Sequence, residues 1–291
     1  MKWQGRRKSS NVQRGKSGGA PLMFGGGIGG IVILLIYFLL GGDPSNLPQQ
    51  SSSTNYEQSQ SSEEQVMLED FLSVVLADTE DVWHEKFNEY GIQYTEPKMT
   101  LFNQTTQSGC GLAQSNMGPF YCPLDQIVYI DVSFYNDLKN TFGAGGDFAF
   151  AYVLAHEIGH HVQNQLNILG QVQPLRQELP EAEYNKYSVA MELQADYFAG
   201  LFAYYIQEKG YLEQGDIEEA MNAAASIGDD RIQQMSGQEV NADSFTHGTS
   251  RQRKNAFDQG FEFHDLEHAM QFFDDLKYQP EFQYKRWYLI L

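Results

Sequence analysis

The sequence predicts an α+β fold, mostly helical with a small sheet, preceded by one N-terminal transmembrane helix. Three observations carry this. Residues 21–42 contain no charge, and the stretch 23–42 is largely apolar; about 20 such residues at 1.5 Å each span a bilayer core. Segments 63–90, 147–166 and 180–208 have helical patterning, with no proline after their first residue. Between the first two, residues 92–131 change to the shorter period of strands. The chain then divides into a basic N-terminus at 1–22, an anchor at 23–42, a linker at 43–62 and a folded domain at 63–291.

Charge is distributed unevenly. Residues 1–42 hold Lys2, Arg6, Arg7, Lys8, Arg14 and Lys16 and no acid. The other 249 residues hold 13 Lys and Arg against 38 Asp and Glu, a net charge of −25. So acidic a domain argues against nucleic acid as a partner, because phosphates would be repelled. Six positive charges before the apolar stretch and none just after it predict a cytoplasmic, unstructured N-terminus. The domain is then expected outside the cytoplasmic membrane, periplasmic or extracellular. A cleaved signal peptide is the competing reading, with a weak site at Gly41-Gly42-Asp43.

The linker is rich in Ser and Gln and has almost nothing to bury, so it reads as a flexible tether. The helix over 63–90 starts at Ser62 as a cap, with Glu63 and Glu64 in its first turn; Met67, Phe71, Val74, Val75 and Val82 mark its buried stripe. Strands follow at Lys98–Phe102 and Ile127–Asp131, with a shorter one at Phe120–Cys122. Cys110 and Cys122 bracket a loop containing Gly, Asn and Pro, and in an oxidising compartment they are expected to pair. Two inert buried thiols are the alternative; a zinc site is not, for want of a second pair at suitable spacing. Ser133–Asn140 reads as a short helix. Asp147 is an N-cap candidate for the helix that runs to Leu166, and Pro180 starts one that ends near Glu208. Asp216 and Glu219 open a helix to Ile227, Ser250–Gln259 is stopped by Gly260, and Phe263–Leu276 is the last.

The chemistry concentrates on the helix from Asp147. His156-Glu157-Ile158-Gly159-His160 places two imidazoles four residues apart on one face, where they can hold one Zn²⁺. Glu157, one position on, lies beside the ion and is suited to accept a proton from water. The bland reading is two incidental surface histidines, but Phe148–Ala155 is almost wholly apolar, so this helix is buried. A catalytic zinc needs a third protein ligand and an open position. Gln163 and Leu166 stand where an extended three-histidine pattern has Gly and His, so that ligand comes from elsewhere. Glu192 is the candidate. It shares a helix face with Asp196, which can accept the spare N–H of a liganding histidine. Ala190, Ala195 and Ala199 let this helix approach the first. A solvated acidic face is the alternative.

His247 precedes a helix that carries Arg251 and Arg253. A histidine there suits donation to a developing oxyanion; Arg253 suits either a substrate carbonyl or a site carboxylate. A helix cap with surface arginines is the plain alternative. His161 reads as supporting or structural, and His264 and His268 as surface residues.

HEIGHH followed by ELQAD resembles the gluzincin group of zinc peptidases, which pair HExxH with ExxxD. Residues 66–275 resemble more closely the bacterial family called "putative neutral zinc metallopeptidases". The shared features are Gly109-Cys110, Gly118-Pro119-Phe120-Tyr121-Cys122-Pro123, HEIGHH, ELQAD with Ala199-Gly200, and Thr246-His247-Gly248-Thr249-Ser250. The resemblance implies a zincin-like domain with one catalytic Zn²⁺ held by His156, His160 and Glu192. It makes Glu157 the base and Asp196 its histidine's support. The His247 segment is similar to the His-Pro…Arg segment of membrane-anchored prenyl-protein and heat-shock zinc proteases, with Arg253 at the matching distance and Gly248 in place of proline. This adds His247 as a catalytic candidate and Arg253 as a substrate or transition-state contact. The expected activity is peptide-bond hydrolysis on a peptide or protein, with the substrate extended along Lys98–Phe102 or Ile127–Asp131. The alternative is a catalytically silent, zinc-stabilised, extracytoplasmic binding or scaffold protein. Oligomeric state is left open.

Overall fold

The structure is a computed structural model that describes residues 1–15 and 62–281. The expected anchor at 23–42, and the linker apart from Ser62, lie outside the described residues. Among those described, no helix is long and apolar enough to cross a membrane.

In chain order the elements are β1 (Val12–Arg14), α1 (Ser62–Glu89), β2 (Lys98–Phe102), β3 (Thr105–Ser108), β4 (Gly111–Gln114), β5 (Phe120–Cys122) and β6 (Ile127–Asp131). The helices α2 (Phe134–Asn140), α3 (Asp147–Gln165), α4 (Ile168–Val172), α5 (Glu181–Glu208), α6 (Asp216–Ser226), α7 (Asp229–Met235) and α8 (Ser250–Phe263) follow. The fold is α+β and mostly helical, as expected. Its main sheet has the order β1-β2-β6-β5, in which β1, β2 and β6 run parallel and β5 antiparallel to β6. β3 and β4 form a separate hairpin. That hairpin was not expected, because Thr105–Ser108 carries no apolar alternation. Cys110 and Cys122 form a disulfide that ties its turn to the end of β5.

Both strands expected to receive an extended substrate, Lys98–Phe102 and Ile127–Asp131, are interior to the sheet, paired on both sides. β5 is the terminal strand, but its three residues are at most 1% exposed. An added strand has no open edge there.

The helices stack closely because small residues sit where they cross. A Cβ at Gly159 on α3 would lie 3.0 Å from the Ala195 Cα on α5. Gly200 and Gly260 do the same for α5 and α8: a Cβ at either would collide with the backbone of the other helix, at Phe257 or Tyr197. This explains why Gly260 does not stop α8. It lies inside a helix that runs on to Phe263 and ends at His264 in the left-handed region (φ 41°). The last helix expected, Phe263–Leu276, is reduced to a 3₁₀ turn at His268–Phe273. Gly146 is the N-cap of α3, with φ 131°, and Asp147 is its first residue.

The expectation that fails outright is an unstructured N-terminus. Residues 1–15 lie folded across the domain. β1 pairs in parallel with β2, Val12 opposite Met99 and Arg14 opposite Leu101. Met1 is buried in the core, its amine 2.7 Å from Asp147 Oδ1 and 3.3 Å from Asp216 Oδ1. Trp3 packs edge-on against Phe71, with ring centroids 5.7 Å apart. Arg6 stacks over Tyr211, 3.4 Å from its centroid, and bonds Asp78. Arg7 reaches Glu80 at 2.9 Å and Asp81 at 2.7 Å. As a result α1 is buried continuously from Phe71 to Glu80, not along one stripe; Met67, expected in that stripe, is 52% exposed.

Candidate metal centre

α3 carries His156 and His160 on the face turned to α5, and α5 brings Glu192 opposite them. These three offer ligand atoms that all lie within 4.8 Å of one another. His156 Nε2 is 3.2 Å from Glu192 Oε2, and His160 Nε2 is 3.5 Å from Glu192 Oε1. Four ligands about 2.1 Å from a tetrahedral Zn²⁺ stand about 3.4 Å apart, so the spacing fits the ion. Two buried atoms reinforce this: His160 Nε2 and Glu157 Oε2 have no hydrogen-bond partner in the structure. Such atoms are costly to leave bare in a protein interior, and a cation beside them removes the cost.

The other ring nitrogens are each held from behind. His156 Nδ1 lies 2.8 Å from Asp196 Oδ1. His160 Nδ1 lies 2.9 Å from Gln163 Oε1, and the Gln163 amide donates to the Met191 carbonyl at 2.7 Å and to Gln194 Oε1 at 3.0 Å. Both Nδ1 atoms thereby face a fixed acceptor, and both Nε2 atoms face Glu192. Gln163 was met in the sequence only as a departure from the extended motif. An amide has no motif of its own, and only the fold brings it against His160.

Arg253 lies behind this layer. Its Nε donates to Asp196 Oδ2 at 2.8 Å and its Nη2 to Oδ1 at 3.0 Å, a bidentate pair. It is 1% exposed. Of the two roles open to Arg253, this geometry is that of a carboxylate partner and not of a substrate contact. Tyr152 completes the cluster, its hydroxyl 2.5 Å from Asp196 Oδ1. Arg251, on the same helix, is exposed.

His247 is reached through Asp229, which the sequence did not single out. Asp229 Oδ2 accepts the backbone N–H groups of Thr246, His247 and Gly248 at 2.7, 2.6 and 3.0 Å, and Oδ1 lies 3.1 Å from His247 Nδ1. Gly248 sits at φ 86° and donates its N–H. Proline could do neither, which accounts for the glycine there. Asp229 carries no sequence signal: it opens α7, a helix that only the structure reveals, 18 residues before its partner.

Burial and neighbours set the charges. Burial pushes the Glu157 carboxyl up to about 8. Burial also lowers His160, to about 4, so it is neutral at pH 7. His156 goes the other way. Desolvation pulls it down, but Asp196 and Glu192 outweigh that and raise it to about 10. In Glu192 desolvation acts upward, yet His160, His247 and His156 hold it well below the usual carboxylate range. The same balance, struck with Arg253 and His156, lowers Asp196.

A family profile described as "Putative neutral zinc metallopeptidase" matches residues 1–272. The chain belongs to that family. Its match begins at residue 1, so the family's shared region includes the folded N-terminal segment as well as the metal cluster. Among curated proteins, the chain is 48% identical over 276 residues to "Uncharacterized protein YpfJ" of Escherichia coli (strain K12), covering 91% of this chain and 96% of that one. It is 45% identical over 183 residues to "Uncharacterized protein Rv2575" of Mycobacterium tuberculosis (strain ATCC 25618 / H37Rv), covering 59% and 61%. No solved structure matches the chain. Family membership implies zinc, and the donor set above suits it.

The remaining histidines stay apart from this cluster. His161 is fully buried between the Tyr121 hydroxyl at 2.9 Å and the Thr95 carbonyl at 2.7 Å, and burial lowers it to about 4. It braces β5 against α3. His264 stacks on Tyr204 and His268 on Phe263. A second acidic group, Asp147, Asp216 and Glu219, also has metal-like spacing, but the Met1 amine is bonded to two of its members.

Proposed function

We propose that this protein is a zinc-dependent peptidase in which His156, His160 and Glu192 hold the ion and Glu157 is the general base. The observation that carries this is the Glu157 carboxylate. It is buried, one oxygen is unpartnered, and it neighbours three donors at tetrahedral spacing without belonging to them. A bound Zn²⁺ supplies Lewis-acid polarisation of a carbonyl and lowers the pKa of water.

The chain's own residues do the rest. Glu157 accepts a proton from the attacking water and returns it to the leaving amine. A backbone hydrogen bond from Tyr121 fixes the carboxylate against β5. Asp196 and Gln163 hold the two imidazoles in one tautomer. His247, its Nδ1 engaged by Asp229, has Nε2 left to meet an oxyanion. Arg253 touches no substrate and orients Asp196.

The alternative, a silent zinc-stabilised scaffold, is less well supported. A structural site normally has four protein ligands, and the group here has three among the described residues. The test is digestion of a peptide library by the purified, zinc-loaded full chain, with chelated protein as control. Zinc-dependent cleavage that returns on adding zinc is the expected result. Stoichiometric zinc with no cut in the library or in a denatured protein pool would leave the scaffold.

A further inference from the structure

The metal centre uses none of residues 1–15, yet these make a run of polar contacts with the rest of the domain. Their basic side chains meet acids of α1 one after another. Arg6 bonds Asp78, and Arg7 bonds Glu80 and Asp81. Lys8 lies 2.7 Å from Asp70, and Arg14 lies 2.5 Å from Glu69. Ser9 bonds Glu80, and Asn11 bridges Glu80 at 2.9 Å and Glu96 at 2.7 Å. Between them the backbone adds a strand to the sheet, with the Met99 N–H donating to the Asn11 carbonyl at 2.9 Å.

An incidental contact would not match residue by residue in this way. Charge, strand pairing and apolar packing (Met1 in the core, Trp3 on Phe71) all point to the same docked position. Removing the segment would bare the β2 edge and a row of part-buried acids on α1. It would also free Asp147, the first residue of the helix that carries the metal ligands.

Topology adds a constraint. The arm and its receptor surface are on one folded body, whereas a single membrane crossing anywhere between residues 15 and 62 would put them on opposite faces of a bilayer. The basic charges that read as a cytoplasmic orientation signal are the same ones that pair with Glu69, Asp70, Asp78, Glu80 and Asp81. We infer that residues 1–14 are an integral arm of the peptidase domain, docked within the chain, and that arm and metal centre lie on the same side of any membrane the protein meets. This holds whether or not the site hydrolyses peptides.

Lys8 and Asp70 provide the test. Their side chains are 52% and 44% exposed, so Lys8→Cys and Asp70→Cys are tolerated, and the two native cysteines are consumed in their disulfide. The full-length double variant is treated in intact cells and again in detergent extract with a membrane-permeant bismaleimide. The reagent is much shorter than the ~30 Å hydrocarbon core. Mass spectrometry counts the adducts. The expected product is an intramolecular crosslink in most chains under both conditions, lost on Lys8→Cys alone. Two separate adducts without a crosslink would overturn the docked arm. So would a crosslink found only in detergent, or a crosslinked dimer. Modification of the two positions from opposite membrane faces by an impermeant maleimide would overturn the shared side.

Discussion

Arg253 and Arg14 each hold a carboxylate, and the comparison between them separates the two halves of this molecule's electrostatics. Arg253 lies with Asp196 in the interior, both at most 1% exposed, in a cluster that also contains His156 and Tyr152. Arg14 meets Glu69 at the surface with its own side chain 74% exposed. The first pair has given up its water and depends on its partners; the second keeps its water and gains little from any one contact. The site therefore depends on a few buried bonds; the arm combines buried contacts, such as Arg6 with Asp78, with exposed ones, such as Arg14 with Glu69.

The largest predicted effect breaks the buried side. Arg253→Met leaves Asp196 charged and without its bidentate partner, and should cost about 3–5 kcal/mol in denaturant unfolding of the zinc-loaded protein. Adding Asp196→Leu should recover part of that stability but not the metal affinity, because His156 then loses its orienting acceptor. A cost under about 1 kcal/mol for Arg253→Met would mean that the two arginines are not different in kind.

Gln163→Leu is a milder break in the same layer. It removes the acceptor of His160 Nδ1 and should weaken zinc affinity on the order of 10–100-fold, measured by chelator competition. An unchanged affinity would remove Gln163 from the site.

A third measurement concerns protons. In the metal-free protein His156 is raised to about 10, while His160 is already neutral. Zinc needs the His156 lone pair, so binding must expel that proton. Affinity should rise at least tenfold per pH unit between pH 6 and 8, and calorimetry in buffers of different ionisation enthalpy should find at least one proton released, with Glu157, raised to about 8, as a second source. No proton release would contradict the charge assigned to His156.

The smallest effect sharpens the exposed side. Arg14→Ala should cost under about 1 kcal/mol, and less at high salt. A cost of several kcal/mol would make the arm a set of critical bonds like the site.

These differences also explain what could be read from the sequence. His156, Glu157 and His160 were legible because an i, i+4 spacing on a helix is local geometry, and Glu192 with Asp196 repeats it. Their supports were not. Gln163 and Asp229 work through partners that only the fold brings near, and neither amide nor lone acid carries a pattern. Gly260 reads as a helix stop in the sequence, whereas its missing side chain lets α8 approach Tyr197. The docking of the arm was illegible for a different reason. Lys and Arg before an apolar stretch have a standard meaning as an orientation signal, and the acids of α1 have a standard meaning as a solvated face. Each reading is reasonable alone; the pairing between them is non-local and leaves no periodic trace.

The central claim is that Glu157 does the chemistry while three neighbours hold the metal. Glu157→Gln keeps the shape and removes the base. With zinc content and peptide cleavage measured on the same preparation, the variant should keep one zinc per chain and lose cleavage by roughly 10²-fold or more. A variant that keeps its zinc and cleaves as fast as the parent would contradict the assignment.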